Sequence, residues 1–98
     1  MQQLQIALED GFRDDLVVVD VDGWEERFED VTTSPLLGLA DSRDIEVPDG
    51  AADVKITVPS KNLSETIPLP SPIPGHLSVS VDQGGIHYRF RDQPVGYA

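Results

Sequence analysis

The sequence predicts an all-β fold, a single small antiparallel β-sandwich of seven to eight short strands. Hydrophobic and polar residues alternate along most apolar runs, which is typical of strands with one buried face. Turn-forming Gly, Pro, Asp and Ser residues separate these runs about every 8–12 residues. The 98 residues suit one domain, so the sandwich is expected to span 1–98.

Strands are expected near 3–9, 15–21, 24–31, 44–48, 53–58, 63–69, 76–81 and 86–91. No segment favours a long helix. At most one helical turn is expected near 35–41, because the segment is short and contains Gly38. Residues 68–76 are rich in proline, which lacks a backbone donor. They predict an extended crossing between sheets, with a polyproline ligand as the alternative.

Two hairpins can be given a register. Asp22-Gly23 favours a two-residue turn. It predicts three cross-strand pairs: Val21 with Trp24, Val19 with Glu26 and Val17 with Phe28. Glu26 then lies among apolar neighbours. Three explanations stay open: water reaches Glu26 at a sheet edge, a bulge moves it out of the apolar face, or it contacts a partner. A four-residue loop from Asp82 to Gly85 predicts three further pairs: Val81 with Ile86, Val79 with Tyr88 and Leu77 with Phe90.

The charge of the chain excludes several function classes. Eighteen acidic residues face seven basic ones, a formal net charge of −11 with a pI near 4.2. Such a surface repels phosphate backbones and anionic membranes, so neither nucleic-acid binding nor membrane insertion is expected. Either a high-salt cytoplasm or a GC-rich genome explains the bias. No apolar run is long enough to span a membrane and no signal peptide is recognisable, which slightly favours a cytoplasmic location.

Metal and cofactor sites are not expected. The chain has no cysteine, which excludes disulfides and thiolate sites. An EF-hand loop aligned on Gly23 places Val18 at its first ligand position. A valine side chain has no oxygen to bind calcium, so an EF-hand is not expected. A loose calcium site near Asp20 and Asp22 stays open; its candidate ligands are Asp14, Asp15, Asp20, Asp22 and Glu25. His76 and His87 lie about 13 Å apart in the predicted hairpin, too far to share zinc.

Three groups of residues are candidates for function. His87, Arg89 and Arg91 share one strand face and form a candidate patch for an acidic partner, unless local acids pair with them. Trp24 follows a tight turn, where it serves either as a platform for a carbohydrate or small ligand or as a cap on the core. Ser80, His87 and Asp82 could suit a hydrolase, but a regular ladder offers no oxyanion hole.

Four motifs follow one another between Val19 and Pro59: "VDG" at 21–23, "TSP" at 33–35, "VPDG" at 47–50 and "VKITV" at 54–58. Their order resembles prealbumin-like (transthyretin-like) sandwich modules, including PEGA-type repeats. The resemblance implies a sandwich used as an accessory or binding module. Hydroxyisourate hydrolase shares that fold class, but its tyrosine-arginine-glycine-serine signature does not occur in this sequence.

These observations together predict a non-enzymatic β-sandwich module that binds a protein partner or serves as a structural subunit. Exposed edge strands would supply the interface, either to another protein or to a second copy. A carbohydrate or small-ligand binding module centred on Trp24 is the alternative, and a hydrolase is the third.

Overall fold

Eight strands form two four-stranded sheets in a computed structural model, which describes residues 2–92. The strands are β1 Gln2–Leu8, β2 Asp15–Val21, β3 Trp24–Val31, β4 Asp41–Val47, β5 Asp53–Val58, β6 Leu63–Pro68, β7 His76–Asp82 and β8 Gly85–Arg91. Sheet A has the order β4-β1-β7-β8 and sheet B the order β3-β2-β5-β6. The predicted small β-sandwich is confirmed.

The core lies between the sheets, where alternate residues of each strand face inward. Both inner strands of sheet B, β2 and β5, bury every second side chain. The largest fully buried side chains are Phe28, Leu4, Ile6, Leu8, Ile56, Ile67, Leu77, Val17, Val19, Val47, Val54 and Val58. Removing this apolar surface from water is the main force that holds the sheets together.

One strand pair departs from the expected antiparallel arrangement. Strand β1 lies in the middle of sheet A, antiparallel to β4 and parallel to β7. Ile6 faces Leu77 across the parallel pair. Alternation has the same period in both arrangements, so the sequence pattern does not distinguish them.

The β2–β3 hairpin has the predicted register, with Val21 opposite Trp24 and Val19 opposite Glu26. Asp22 and Gly23 both have positive φ, as the two-residue type I′ turn requires. The register shifts by one residue further along, between Asp15 and Val17 of β2. The extra residue lies in β3, where Asp30 also has positive φ. This bulge returns Val31 to the buried face.

The β7–β8 hairpin also has the predicted cross-strand pairs. Its turn is tighter than expected, because Asp82 pairs with Gly85 and only Gln83 and Gly84 remain as the loop. The predicted loop length of four residues was therefore wrong, although the predicted register of the two strands is confirmed.

The segments outside the strands agree with most expectations. Residues 35–38 form a turn closed by the Gly38 amide on the Ser34 carbonyl, 2.8 Å. The single short 3-10 helix of residues 2–92 lies elsewhere, at Pro59–Lys61. Residues 69–75 cross from β6 in sheet B to β7 in sheet A, as predicted, and contain the cis peptide Ser71-Pro72. Within residues 2–92, no helix has the length and hydrophobicity to cross a membrane.

Candidate functional site

Two regions of the surface carry the candidate residues, and they lie on opposite sides of the sandwich. One is the outer face of β8, the edge strand of sheet A, with His87, Arg89 and Arg91, here called the β8 patch. The other surrounds Trp24, the first residue of β3, which is an edge strand of sheet B. Strands β3 and β4 are the edges on this second side.

The β8 patch is built by simple alternation along one strand. His87 faces Ser80, Arg89 faces Ser78 and Arg91 faces His76 on the neighbouring β7. His87 and Arg89 are exposed, whereas Arg91 is half-buried. The inner row of the same strand carries Tyr88 and Phe90, whose rings meet edge to face with centroids 6.3 Å apart. Tyr88 keeps 40% of its surface exposed because β8 is an edge strand.

Local acids neutralise only part of the β8 patch. Nε2 of His87 lies 2.9 Å from Oδ1 of Asp82, and this hydrogen bond is the main reason that the pKa of Asp82 lies below its ordinary value. Arg89 and Arg91, by contrast, have no carboxylate within 4.0 Å among residues 2–92. The Nε atom of Arg91 is buried without a hydrogen-bond partner. Among residues 2–92, intramolecular pairing with a carboxylate therefore accounts for His87 but not for the two arginines.

Trp24 does not cap the core. Trp24 exposes 75% of its surface. Alternation places it on the inward row with Phe28, which is fully buried. It lies, however, at the first position of an edge strand, directly after the turn, where no neighbouring strand of the described chain covers it. The expectation of a core cap was therefore wrong, and the expectation of an exposed platform remains a proposal.

A groove of about 280 Å³ lies beside Trp24, between the edge strands of the two sheets. Its apolar surface combines the indole with aliphatic side chains, and its rim is acidic. The apolar lining is Trp24, Val19, Val21, Ile45 and Pro48, and the rim is Glu25, Glu26, Asp44 and Glu46. Sequence reasoning selected only Trp24 as a ligand platform, and it did not connect Trp24 with Ile45 and Pro48, which are distant from it along the chain.

An ion pair between the sheets bounds this groove. Nη1 of Arg43 lies 3.1 Å from Oε1 of Glu26 and also donates to the Arg27 carbonyl, 3.0 Å. The Arg43 guanidinium lies 4.3 Å from the centre of the Phe28 ring. This pairing with an arginine of the other sheet explains why a charged residue, Glu26, lies on the apolar face of β3. Its position among apolar residues was the sequence signal of this contact.

The residues considered for catalysis and for metals do not converge. Oγ of Ser80 accepts a hydrogen bond from the Asp10 amide, 3.3 Å, and no hydrogen bond joins it to His87 within residues 2–92. Nδ1 of His76 lies 2.7 Å from Oε1 of Gln5. In the part of the chain that the structure describes, no three His, Asp or Glu side chains are grouped to hold a metal ion.

Asp15 is a buried carboxylate that sequence reasoning assigned only to a loose calcium site. Its side chain is 2% exposed and binds the hydroxyl of Ser60, the amide of Arg13 at 2.8 Å and Nζ of Lys61 at 3.1 Å. Burial alone would raise its pKa, but these hydrogen bonds and the Lys61 charge outweigh burial and lower the pKa. Asp20 lies five positions further along β2, about 16 Å away, so Asp15 cannot share a cation with Asp20.

Comparison with known proteins gives no relative from which to transfer a function. No protein-family model, no curated protein and no solved structure matches the chain. The resemblance to prealbumin-like modules therefore stays a prediction from turn and strand motifs.

Proposed function

We propose that this chain is a non-enzymatic β-sandwich module that binds an acidic, extended segment of a protein partner along β8. The observation that carries the proposal is the pair Arg89 and Arg91. Both guanidinium groups stand on one edge strand without a carboxylate partner among residues 2–92, in a protein of net charge −11.

The charge of β8 distinguishes it from the other edges. Gly85–Arg91 contains no acidic residue, whereas each of the other edge strands β3, β4 and β6 contains at least one. Charged residues on an edge discourage strand pairing with like-charged neighbours. The acidic edges therefore repel an acidic strand, and β8 attracts one.

The two rows of β8 specify the kind of segment that it would pair with. An added strand forms main-chain hydrogen bonds with the open side of β8, and its side chains alternate between the two faces. Carboxylates at every second position would lie beside Arg89 and Arg91. Apolar residues at the positions between them would cover Tyr88 and Phe90. Each close charged or aromatic cross-strand pair contributes about 0.2–1 kcal/mol.

The test uses a synthetic peptide of alternating glutamate and valine, with a lysine–valine peptide as its counterpart. We expect binding of the first peptide only, with amide shifts in NMR spectra confined to β8 and its neighbour β7. Arg89→Glu with Arg91→Glu should weaken binding at least tenfold. The matched control, Arg13→Glu with Lys55→Glu, changes the net charge equally on exposed residues away from β8 and should retain binding.

Two further arms separate strand pairing from simple charge attraction. Methylating alternate backbone amides of the peptide removes its donors along one side, which should abolish binding by strand addition. Equal weakening by both double variants, or shifts centred on β3 or β4, would contradict the proposal. A mass above 10.7 kDa in light scattering that falls with Arg89→Glu and Arg91→Glu would identify a second copy as the partner.

A ligand-binding module centred on Trp24 is the second candidate function. The specific observation in its favour is an indole that is 75% exposed beside a groove with apolar walls. Large exposed aromatic side chains next to a cleft are typical of ligand platforms. The chain has a single tryptophan, so its fluorescence reports on this groove alone. A panel of glycans and small ligands that left the fluorescence unchanged would contradict this candidate.

A further inference from the structure

The geometry of the Trp24 groove points to a small organic cation as its ligand, one that carries an alkylammonium group. This inference rests on the second candidate function, a ligand-binding module centred on Trp24, and it specifies the ligand class. The groove is lined by Trp24, Val19, Val21, Ile45 and Pro48, together with four acidic residues of β3 and β4.

The aromatic wall favours a cation. The face of an indole carries negative charge density, and tryptophan is the best of the aromatic side chains at binding cations. Trp24 is 75% exposed, so a ligand can reach the indole without displacing a neighbouring side chain. Val19, Val21 and Ile45 beside it are buried and Pro48 is half-buried, and together they form the apolar floor. Methyl or methylene groups on the cation would cover that floor and remove apolar surface from water.

The rim decides the sign of the charge. Glu25, Glu26, Asp44 and Glu46 are the charged residues that line the groove, and among residues 2–92 no cation lies within 4.0 Å of Asp44 or Glu46. Arg43 pairs with Glu26 at 3.1 Å and Arg27 with Glu25 at 3.9 Å, so the charges of Asp44 and Glu46 are the ones left without a cation among residues 2–92. The rim therefore stays negative overall. It repels anions such as phosphates and carboxylic acids and concentrates cations.

The size of the groove favours a small molecule. Its volume of about 280 Å³ lies just below the usual range of pockets for drug-sized ligands, ~300–1,000 Å³. A compact ammonium headgroup can lie against the indole within this space. The occupant that we infer is a free small molecule, and a cationic side chain of a peptide is the other source that the experiment must separate.

The experiment compares choline chloride with 3,3-dimethyl-1-butanol, which has the same shape without the charge. Both are titrated at ionic strength matched with sodium chloride, and Trp24 fluorescence is followed. Choline should bind at least about fivefold more tightly than the neutral alcohol, because only the cation gains from the indole face and the rim. Equal affinity for the two compounds would overturn the inference.

Variants locate the binding within the groove. Asp44→Asn with Glu46→Gln should weaken choline about three- to tenfold, since it removes two exposed rim charges. The matched control, Glu29→Gln with Glu65→Gln, removes two exposed acids outside the groove and should leave the affinity unchanged. Trp24→Ala, followed by NMR, should abolish binding while the amide spectrum of the core strands stays in place. Equal weakening by the two double variants would reduce the effect to net charge and overturn the inference.

The outcomes also separate this inference from the function on which it rests. If a glycan changes Trp24 fluorescence and choline does not, the ligand-binding module stands and the cation class is wrong. If neither changes it, both are wrong. If a lysine-containing peptide competes with choline and binds more than tenfold more tightly, the natural occupant of the groove is a peptide side chain and not a free small molecule.

Discussion

Arg43 of β4 joins the two sheets through Glu26 of β3: Nη1 lies 3.1 Å from Oε1, and the guanidinium lies over the Phe28 ring at 4.3 Å. The ion pair is partly exposed, with 39% and 46% of the two side chains accessible. Strands β3 and β4 are edges of different sheets, so no main-chain ladder joins them. Contacts of the Arg43 side chain therefore help to hold this side of the sandwich together.

Replacing Arg43 should therefore destabilise the protein by more than a typical surface change. We expect Arg43→Ala to lower the free energy of unfolding by about 1–2 kcal/mol, from the ion pair and the stacking on Phe28. A double-mutant cycle with Glu26→Gln, measured by urea unfolding, should give a coupling of about 0.2–1 kcal/mol. Arg27→Ala is the control, because its 3.9 Å contact with Glu25 is exposed. Equal effects of the two alanine variants would contradict the prediction.

The buried carboxylate of Asp15 should make stability depend on acid pH. Its pKa is lowered in the folded protein, so its contribution is present above about pH 4 and is lost as the pH falls through the folded pKa. Asp15→Asn should cost about 1–3 kcal/mol near neutral pH, since Lys61 and Ser60 lose a charged partner. The difference in unfolding free energy between wild type and variant should shrink below about pH 4.

Denaturant titrations in steps from neutral to acid pH measure this difference directly. Asp53→Asn, at an exposed carboxylate of β5, serves as the control and should differ little from wild type at any pH. A gap between wild type and Asp15→Asn that stayed constant throughout the titration would show that the charge of Asp15 does not stabilise the fold.

Gly11 should tolerate no side chain. Its φ is +92°, and a Cβ atom there would overlap the backbone carbonyl of Val81. The amide of Val81 donates to the Asp10 carbonyl at 2.9 Å, which fixes the two segments against each other. We expect Gly11→Ala to cost at least about 2 kcal/mol in thermal or chemical unfolding. Gly50→Ala has a similar φ of +83° but open space, so a cost of about 1 kcal/mol is expected there. If both alanine variants lost a similar unfolding free energy, the steric explanation for Gly11 would be contradicted.

The net charge of −11 should make the protein more stable in salt. Screening shortens the range of repulsion among the acids to about 3 Å at molar concentration. The unfolding temperature should rise from low to molar potassium chloride, and less so in a variant with Glu29→Gln, Glu65→Gln and Asp53→Asn. A flat response in wild type would remove the reason to infer a high-salt origin and would leave a GC-rich genome as the explanation of the composition.

The sequence predicted strand positions well because alternation depends on neighbours in the chain. Val54, Ile56 and Val58 alternate in the sequence, and all three are fully buried. Asp22-Gly23 predicted its own turn for the same reason, since φ is a local property. The start of β4 was misplaced, at residue 44 instead of Asp41, because its first residues are polar.

The site was less predictable because its residues meet through space. Trp24 was assigned to the correct row of β3, yet its exposure depends on β3 being an edge strand, which no local pattern reveals. Arg43 lies 17 positions from Glu26 in the chain, and only the packing of β4 opposite β3 brings them together. The sequence placed the arginines of the β8 patch on one strand face, which the register confirms, but only the structure shows that neither has a carboxylate within 4.0 Å among residues 2–92.

The position of β1 bears on how the chain reaches its native state. The first strand completes sheet A only when it pairs with residues 71 positions later, Ile6 with Leu77. Closing such a long loop costs conformational entropy before the stabilising contacts form, and this slows folding. We therefore expect folding on the millisecond-to-second scale. During synthesis β1 must wait, with one side unpaired, until β7 leaves the ribosome. A hydrophobic strand exposed for that time is a target for chaperones and for aggregation, and its Gln2, Gln3 and Gln5 side chains provide no charge to prevent it.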